Sequence, residues 1–378
     1  MDKIAFYGTH SYDRKMFQEI NGKFGFEILN HRSYLTAENA SLTAGAKAVC
    51  IFVNDTCDRK VLGILKDNGV GLVALRCAGF NNVDLAAAKE FGIRVVRVPA
   101  YSPHAIAEHT VALIMALNRH TNLAWVRTRT WNFSLNGLMG FDMYGKTAGI
   151  VGTGKIARQL IGILKGFGMN IIAYDIYPDE KYAKESGIRY VTLDELYANS
   201  DIISLNCPLT KENYHLINRD SISRMKKGVM IINTGRGGLI DTEALIDGLR
   251  SAQIGAAGLD VYEEEKDYFY QDHSSEVITD DKLALLLSYT NVLVTSHQAF
   301  FTREAMENIA TTTLQNCRDF FDGRELVNEV KYSYRGRPDA LRGRPALLAL
   351  PAPESGTPGL RVNSSKRHEC RAGEHRSR

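Results

Sequence analysis

The chain has 378 residues, 44% apolar and 24% charged, a composition that suits a globular protein in water with room for two cores. No run of about 18 apolar residues is present to span a bilayer, and the N-terminus lacks the basic start and long apolar core of a secretion signal. The net charge of +3 is uneven: residues 331–378 hold 11 Lys/Arg against 4 Asp/Glu, leaving 35 against 39 in residues 1–330, so the body is mildly acidic and offers nucleic acid no basic face.

In chain order, short β-branched or aromatic runs at 4–7, 26–29, 48–53, 72–75 and 95–98 read as buried parallel strands. Segments between them are long enough for crossover helices. They make a first α/β unit over residues 1–100. Ser102 and Pro103 then open a helix over 105–118 that is apolar on nearly every face, which predicts burial between domains or subunits. His104 and His109 on this helix read as packing residues. A second α/β unit starts at 147–151 and continues through runs at 171–174, 202–205, 229–233, 256–259 and 292–295. The fold class is therefore α/β with two doubly wound parallel sheets: a flavodoxin-like unit over 1–100 and a Rossmann-type unit over 101–298. A last helix over 302–321 is expected to return to the first unit, completing it through about 299–330. Residues 331–378 carry five of the nine prolines and no sustained period, and read as a disordered or non-native tail. Its His368, Cys370 and His375 make poor metal-ligand candidates, and no metal is expected. The six cysteines (Cys50, Cys57, Cys77, Cys207, Cys317, Cys370) include no Cys-x-x-Cys pair, which suits free thiols in a reducing cytoplasm.

Gly152-Thr153-Gly154-Lys155-Ile156-Ala157 follows a predicted strand and opens a predicted helix, the context that a dinucleotide loop requires. Gly152 allows the tight turn, Gly154 lets backbone approach a pyrophosphate, and the N–H groups of Lys155 and Ile156 meet the phosphates at a helix N-terminus. Asp175 ends the next strand, where a carboxylate accepts from ribose hydroxyls and repels a 2′-phosphate. NAD is thus favoured over NADP. Three further charged residues sit at strand ends: Arg236, Glu265 and His297. An Arg fork holds a carboxylate, a His donates a proton to a carbonyl oxygen, and a neighbouring carboxylate keeps that His charged. Spacing alone leaves open a surface Arg, a loop His and a solvated acidic run over Glu263-Glu264-Glu265.

With Asn233-Thr234-Gly235-Arg236-Gly237, Asp260-Val261-Tyr262-Glu263-Glu264-Glu265 and Ser296-His297-Gln298-Ala299-Phe300 following the glycine loop in order, residues 1–330 resemble the D-isomer-specific 2-hydroxyacid dehydrogenases. Similarity is greatest to their fermentative D-lactate dehydrogenase branch. The resemblance implies NADH-dependent reduction of pyruvate to D-lactate, with Arg236 on the substrate carboxylate, His297 as acid/base and Glu265 as its partner. It leaves Glu263 and Glu264 solvated. It also implies that Cys77-Ala78-Gly79 lends backbone N–H groups to the substrate, that Tyr101 and Phe300 close the pocket, and that cofactor contacts extend to Cys207, Pro208, Asn213, Thr234, Gly235 and Asp260. Cys77 is then a loop residue and not a nucleophile. Relatives acting on larger 2-keto acids, glyoxylate/hydroxypyruvate or 3-phosphoglycerate, and NAD-sensing corepressors of the same fold, are the competing readings. A homodimer paired through the cofactor unit and the 105–118 helix is implied, with no nucleic-acid or membrane partner.

Overall fold

Alternating β-branched runs and amphipathic segments build two parallel sheets in the computed structural model, which describes residues 1–332. The expectations for the tail, His368, Cys370 and His375 included, lie outside the described residues from 333 onward. The first sheet is formed by β1 (Lys3–Phe6), β2 (Glu27–Asn30), β3 (Ala48–Ile51), β4 (Leu72–Leu75) and β5 (Arg94–Val96), with α1 (Ser11–Asn21), α2 (Arg59–Asp67) and α3 (Leu85–Phe91) between them. Its order is β2-β1-β3-β4-β5, every pair parallel, as a flavodoxin-like sheet requires.

Two helices, α4 (Pro103–Arg119) and α5 (Thr121–Arg129), lead to the second sheet. That sheet comprises β6 (Thr147–Val151), β7 (Asn170–Tyr174), β8 (Arg189–Tyr190), β9 (Ile202–Leu205), β10 (Val229–Asn233), β11 (Ile254–Leu259) and β12 (Val292–Val294). Between them lie α6 (Lys155–Gly166), α7 (Glu180–Ser186), α8 (Leu193–Asn199), α9 (Arg219–Ser223), α10 (Thr242–Arg250) and α11 (Asp281–Ser288). The order β12-β11-β10-β9-β6-β7-β8 reverses direction at β6 and β9, the crevice where an open α/β sheet takes its ligand. Strands β3, β4, β9 and β10 are buried at every residue, which is why their sequences read as apolar runs broken only by Ser204 and Asn233. The two-residue β8 has no such run and is not legible in sequence.

Ser102 caps α4 by accepting from the Ala105 N–H at 3.2 Å, with Pro103 in the first turn. Within the single chain the helix is buried on one side only. It buries Ala107, Leu113, Ile114 and Leu117 against α6, β10 and β11, while His104, Glu108 and Ala112 are exposed. The residues after it are more open still: α5 buries no residue, and Trp131, Leu135 and Met139 are over 80% exposed. The closing helix α12 (Arg303–Phe321) returns to pack on α1 and β4. Among the described residues no helix is long and apolar enough to cross a membrane.

Candidate active site

The carboxyl ends of both sheets face one cleft. At β6 the chain turns through Gly152 at φ +89°, where an added Cβ would lie 2.9 Å from the Asn206 carbon and the Cys207 nitrogen. Only glycine passes there. Gly154 then caps α6 without any side-chain hydrogen bond, and a Cβ on it would meet no protein atom within 4 Å. The open space and the uncapped N–H groups at Lys155 and Ile156 fit a phosphate-bearing dinucleotide. Asp175 is more occupied than its sequence position suggests. One oxygen accepts from the Thr153 N–H at 2.7 Å and hydroxyl at 2.8 Å, and the other from the Tyr177 N–H at 2.9 Å. It staples the glycine loop and keeps capacity for a further donor, since a carboxylate offers about four acceptor sites.

Several residues expected at the cofactor also hold the site's own backbone and side chains. Asp260 is fully buried. One oxygen accepts from the Thr295 hydroxyl at 2.6 Å and the Gln298 N–H at 2.9 Å, the other from the Ala299 N–H at 2.9 Å. The Thr234 hydroxyl pairs with that of Thr110 at 2.9 Å. Asn213 is spent inside its own turn, donating to the Pro208 carbonyl and accepting from the Thr210 N–H. Pro208 is exposed, while Cys207 and Gly235 are half-buried beside the crevice.

A cavity of about 210 Å³ opens between the sheets, smaller than the roughly 300 Å³ at which drug-sized sites begin. Its lining brings together Arg236, Glu265 and His297 with Cys77, Ala78, Gly79, Tyr101 and Phe300. The backbone around Arg236 is tied by buried Asn233, which accepts from the Gly235 N–H at 3.0 Å and donates to the Arg236 carbonyl at 2.9 Å. The Arg236 guanidinium donates to the Gly235 carbonyl at 2.7 Å, and among the described residues no carboxylate pairs with it. His297 Nδ1 lies 2.8 Å from one Glu265 oxygen, and the other accepts from the Tyr262 N–H at 3.0 Å. Both the ring and its carboxylate are therefore fixed in orientation.

The Tyr101 and Phe300 rings meet edge-on, centroids 6.0 Å apart, and burial pushes the Tyr101 hydroxyl up to about 12. The Cys77 thiol donates to the Gly79 carbonyl at 3.2 Å, and burial pushes it up to about 12, which leaves no thiolate for nucleophilic attack near neutral pH.

The structure adds four residues to this picture. Arg76, 3% exposed, donates to the Gly8 carbonyl at 2.8 Å, sits 3.8 Å from Asp13, and stacks 5.1 Å over Phe52 on the cavity wall. Asp55 beside it accepts from the Phe52 and Leu35 N–H groups, and burial raises its carboxyl. Tyr270 donates to the His297 carbonyl at 3.0 Å, and its ring meets Phe52 across the cleft at 5.3 Å. His109, expected to be a packing residue, lies 3.1 Å from the Thr295 hydroxyl and 3.5 Å from Asp260. Glu263, expected in solvent, accepts from three side chains, whereas Glu264 is exposed as expected. A charged residue directly after an apolar strand run was the one sequence signal for Arg76. None marked Tyr270.

The family profile described as D-isomer specific 2-hydroxyacid dehydrogenase, NAD binding domain, matches residues 111–299. A D-lactate dehydrogenase of Escherichia coli is 53% identical over 328 residues, 87% of this chain and 99% of that protein. The solved pyruvate reductase of Chlamydomonas reinhardtii superposes with a TM-score of 0.83 at 48% identity, covering 87% of this chain and 98% of that one. A D-lactate dehydrogenase from Lactobacillus jensenii solved with NAD+ superposes at 0.75 with 31% identity, covering 87% and 100%.

Proposed function

The chain belongs to the D-isomer-specific 2-hydroxyacid dehydrogenases, NAD-dependent enzymes, and from that membership we propose that it reduces pyruvate to D-lactate, and the reverse, in the cytoplasm. The observation that carries the reading is the His297–Glu265 pair, 2.8 Å apart, in a 210 Å³ cavity that also holds Arg236.

NADH, when bound, supplies the hydride. Arg236 takes the substrate carboxylate with its free guanidinium edge, helped by backbone N–H groups at Cys77, Ala78 and Gly79. That grip turns the C2 carbonyl toward His297, which donates the proton as the oxygen gains charge. Glu265 holds the imidazole so that Nε2 carries that proton to the substrate. Phe52, Tyr101 and Phe300 exclude water and leave room for a methyl group better than for a long chain, which favours pyruvate over larger 2-keto acids. In this reading residues 1–100 with 299–330 form the substrate half, and 101–298 the cofactor half. The exposed apolar stretch around Trp131, Leu135 and Met139 suits pairing of two copies as a homodimer.

A panel of 2-keto acids with NADH, with products resolved on a chiral column, tests the proposal. Fastest turnover on pyruvate with D-lactate as product is expected. Preference for a bulkier acid or the opposite hand refutes the substrate or the stereochemistry separately. Sedimentation of Trp131→Glu against the unaltered chain tests the dimer, which is refuted if both run as monomers.

A further inference from the structure

Glu263 stands two residues before Glu265, yet its side chain points away from the His297 pair and toward the Arg236 loop. One oxygen accepts from His215 Nε2 at 2.5 Å and the Tyr214 hydroxyl at 2.9 Å, and the other from the Thr242 hydroxyl at 2.9 Å. The Tyr214 and His215 rings stack at 3.9 Å, and the Glu263 side chain is only 18% exposed. In sequence two of these donors precede Arg236 and the third follows it. His215 is laid along the Arg236 loop by its own N–H, which donates to the Gly238 carbonyl at 2.9 Å. Ile217 continues the pairing by donating to Leu239 at 3.0 Å. Thr242 opens α10 at the far end of the same loop.

We propose that Glu263 is a positioning residue whose carboxylate clamps the Arg236 loop to the Glu265 segment, setting the distance between the carboxylate-binding cation and the acid/base pair. The packing beneath it agrees: a Cβ on Gly237 would fall 2.2 Å from the Tyr262 carbonyl and 2.6 Å from the Glu263 nitrogen, so the two segments already touch through backbone. Burial pushes the Glu263 carboxyl upward, but its hydrogen bonds outweigh that and hold it below the usual range, so the clamp is charged at neutral pH. The role rests on Arg236 and Glu265 acting as proposed above.

The test uses the full chain and its Glu263→Ala and Glu263→Gln variants, following melting temperature, NADH affinity by fluorescence, and kcat and KM for pyruvate. We expect a folded Glu263→Ala with NADH affinity little changed and kcat/KM for pyruvate down about thirtyfold, below the roughly hundredfold cost of a 1 Å misplacement between binding and reacting groups. Glu263→Gln, which keeps one acceptor oxygen, recovers part of that loss. A folded Glu263→Ala with kcat/KM within about threefold overturns the proposal. So does a loss of rate that tracks the folded fraction alone, with KM and kcat per NADH-binding site unchanged. If neither Glu263 variant folds, Thr242→Val and Tyr214→Phe each delete one donor; a raised pyruvate KM supports the clamp and an unchanged one overturns it. Should the unaltered chain reduce no 2-keto acid, the functional reading falls and the positioning role with it. Turnover by the unaltered chain alongside unaffected variants removes the positioning role alone.

Discussion

Replacing Gly237 by alanine adds one carbon at the closest approach between the two loops of the site. That carbon would stand 2.2 Å from both the carbonyl carbon and oxygen of Tyr262, and real Cβ contacts essentially never fall under 3.0 Å. The obstacle is backbone and cannot rotate away. The Arg236 loop must therefore retreat from the Glu265 segment by about 0.8 Å merely to reach that limit. A misplacement of about 1 Å between binding and reacting groups costs about a hundredfold in rate, or about 2.7 kcal/mol of transition-state stabilisation. NADH binding should be nearly preserved, because the glycine loop that opens α6 lies outside both segments. The assay is NADH consumption with pyruvate, read as kcat/KM, beside a fluorescence titration of NADH. If kcat/KM remains within about threefold of the unaltered enzyme in a folded protein, the separation of Arg236 from the His297 pair does not control the reaction.

Gly154→Ala provides the complementary case: the new methyl meets no protein atom within 4 Å, so the protein should melt as before while NADH affinity falls. Unchanged NADH affinity would show that the cofactor does not approach that backbone. Asp175→Ala should weaken NADH binding with little effect on NADPH, because only the former loses a ribose acceptor while the loop damage from freeing Thr153 is common to both. Equal losses for the two would assign Asp175 to loop support alone. Arg76→Met leaves Asp13 and Asp55 buried without their cation and should cost about 3–5 kcal/mol in urea unfolding; a cost under about 1 kcal/mol would mean that the cluster is not charged. Glu263 titrates below its ordinary value near 4.5 in the folded state, so its stabilisation is present above that pH and is lost as pH falls through the lower folded value. The stability gap between the unaltered chain and Glu263→Gln should therefore narrow in acid, and a gap that widened there would contradict a charged clamp.

How far the sequence discloses this site depends on the range of the interactions involved. The central strands are legible because they are buried on both faces and so read as apolar runs, as β3 and β4 do. The glycine loop is legible because its requirements are local: a turn at φ +89°, a bare helix start, and a strand before it. Strand ends locate Arg236, Glu265 and His297 beside one cleft, since ligands gather at the carboxyl edge of parallel sheets. Arg76, Glu263 and Tyr270 escape because their meaning lies in distant partners. Arg76 is defined by Asp13 and Gly8 on β1's side of the sheet, Glu263 by His215 some 48 residues earlier, and Tyr270 by Phe52 across the cleft. A solvated acidic run and a buried clamp have the same local composition, so Glu263 and Glu264 differ only once the chain is folded.

His297 itself shows how such distant pairs make the site work. It is held at φ +53°, in the left-handed region, which for a residue with a Cβ costs about 1–2 kcal/mol. That conformation persists because the surrounding bonds over-determine it. The His297 N–H donates to the Asp260 carbonyl at 2.7 Å, while the Asp260 side chain collects the N–H groups of Gln298 and Ala299 and the Thr295 hydroxyl. Tyr270 takes the His297 carbonyl from the other side. With both peptide groups of the residue anchored, the ring has little freedom beyond its own torsions, and Nδ1 rests 2.8 Å from Glu265. The two sequence runs around Asp260 and His297 therefore form one physical unit. The first supplies both the carboxylate that bends the second and the carboxylate that orients its imidazole, and neither run could be exchanged without the other.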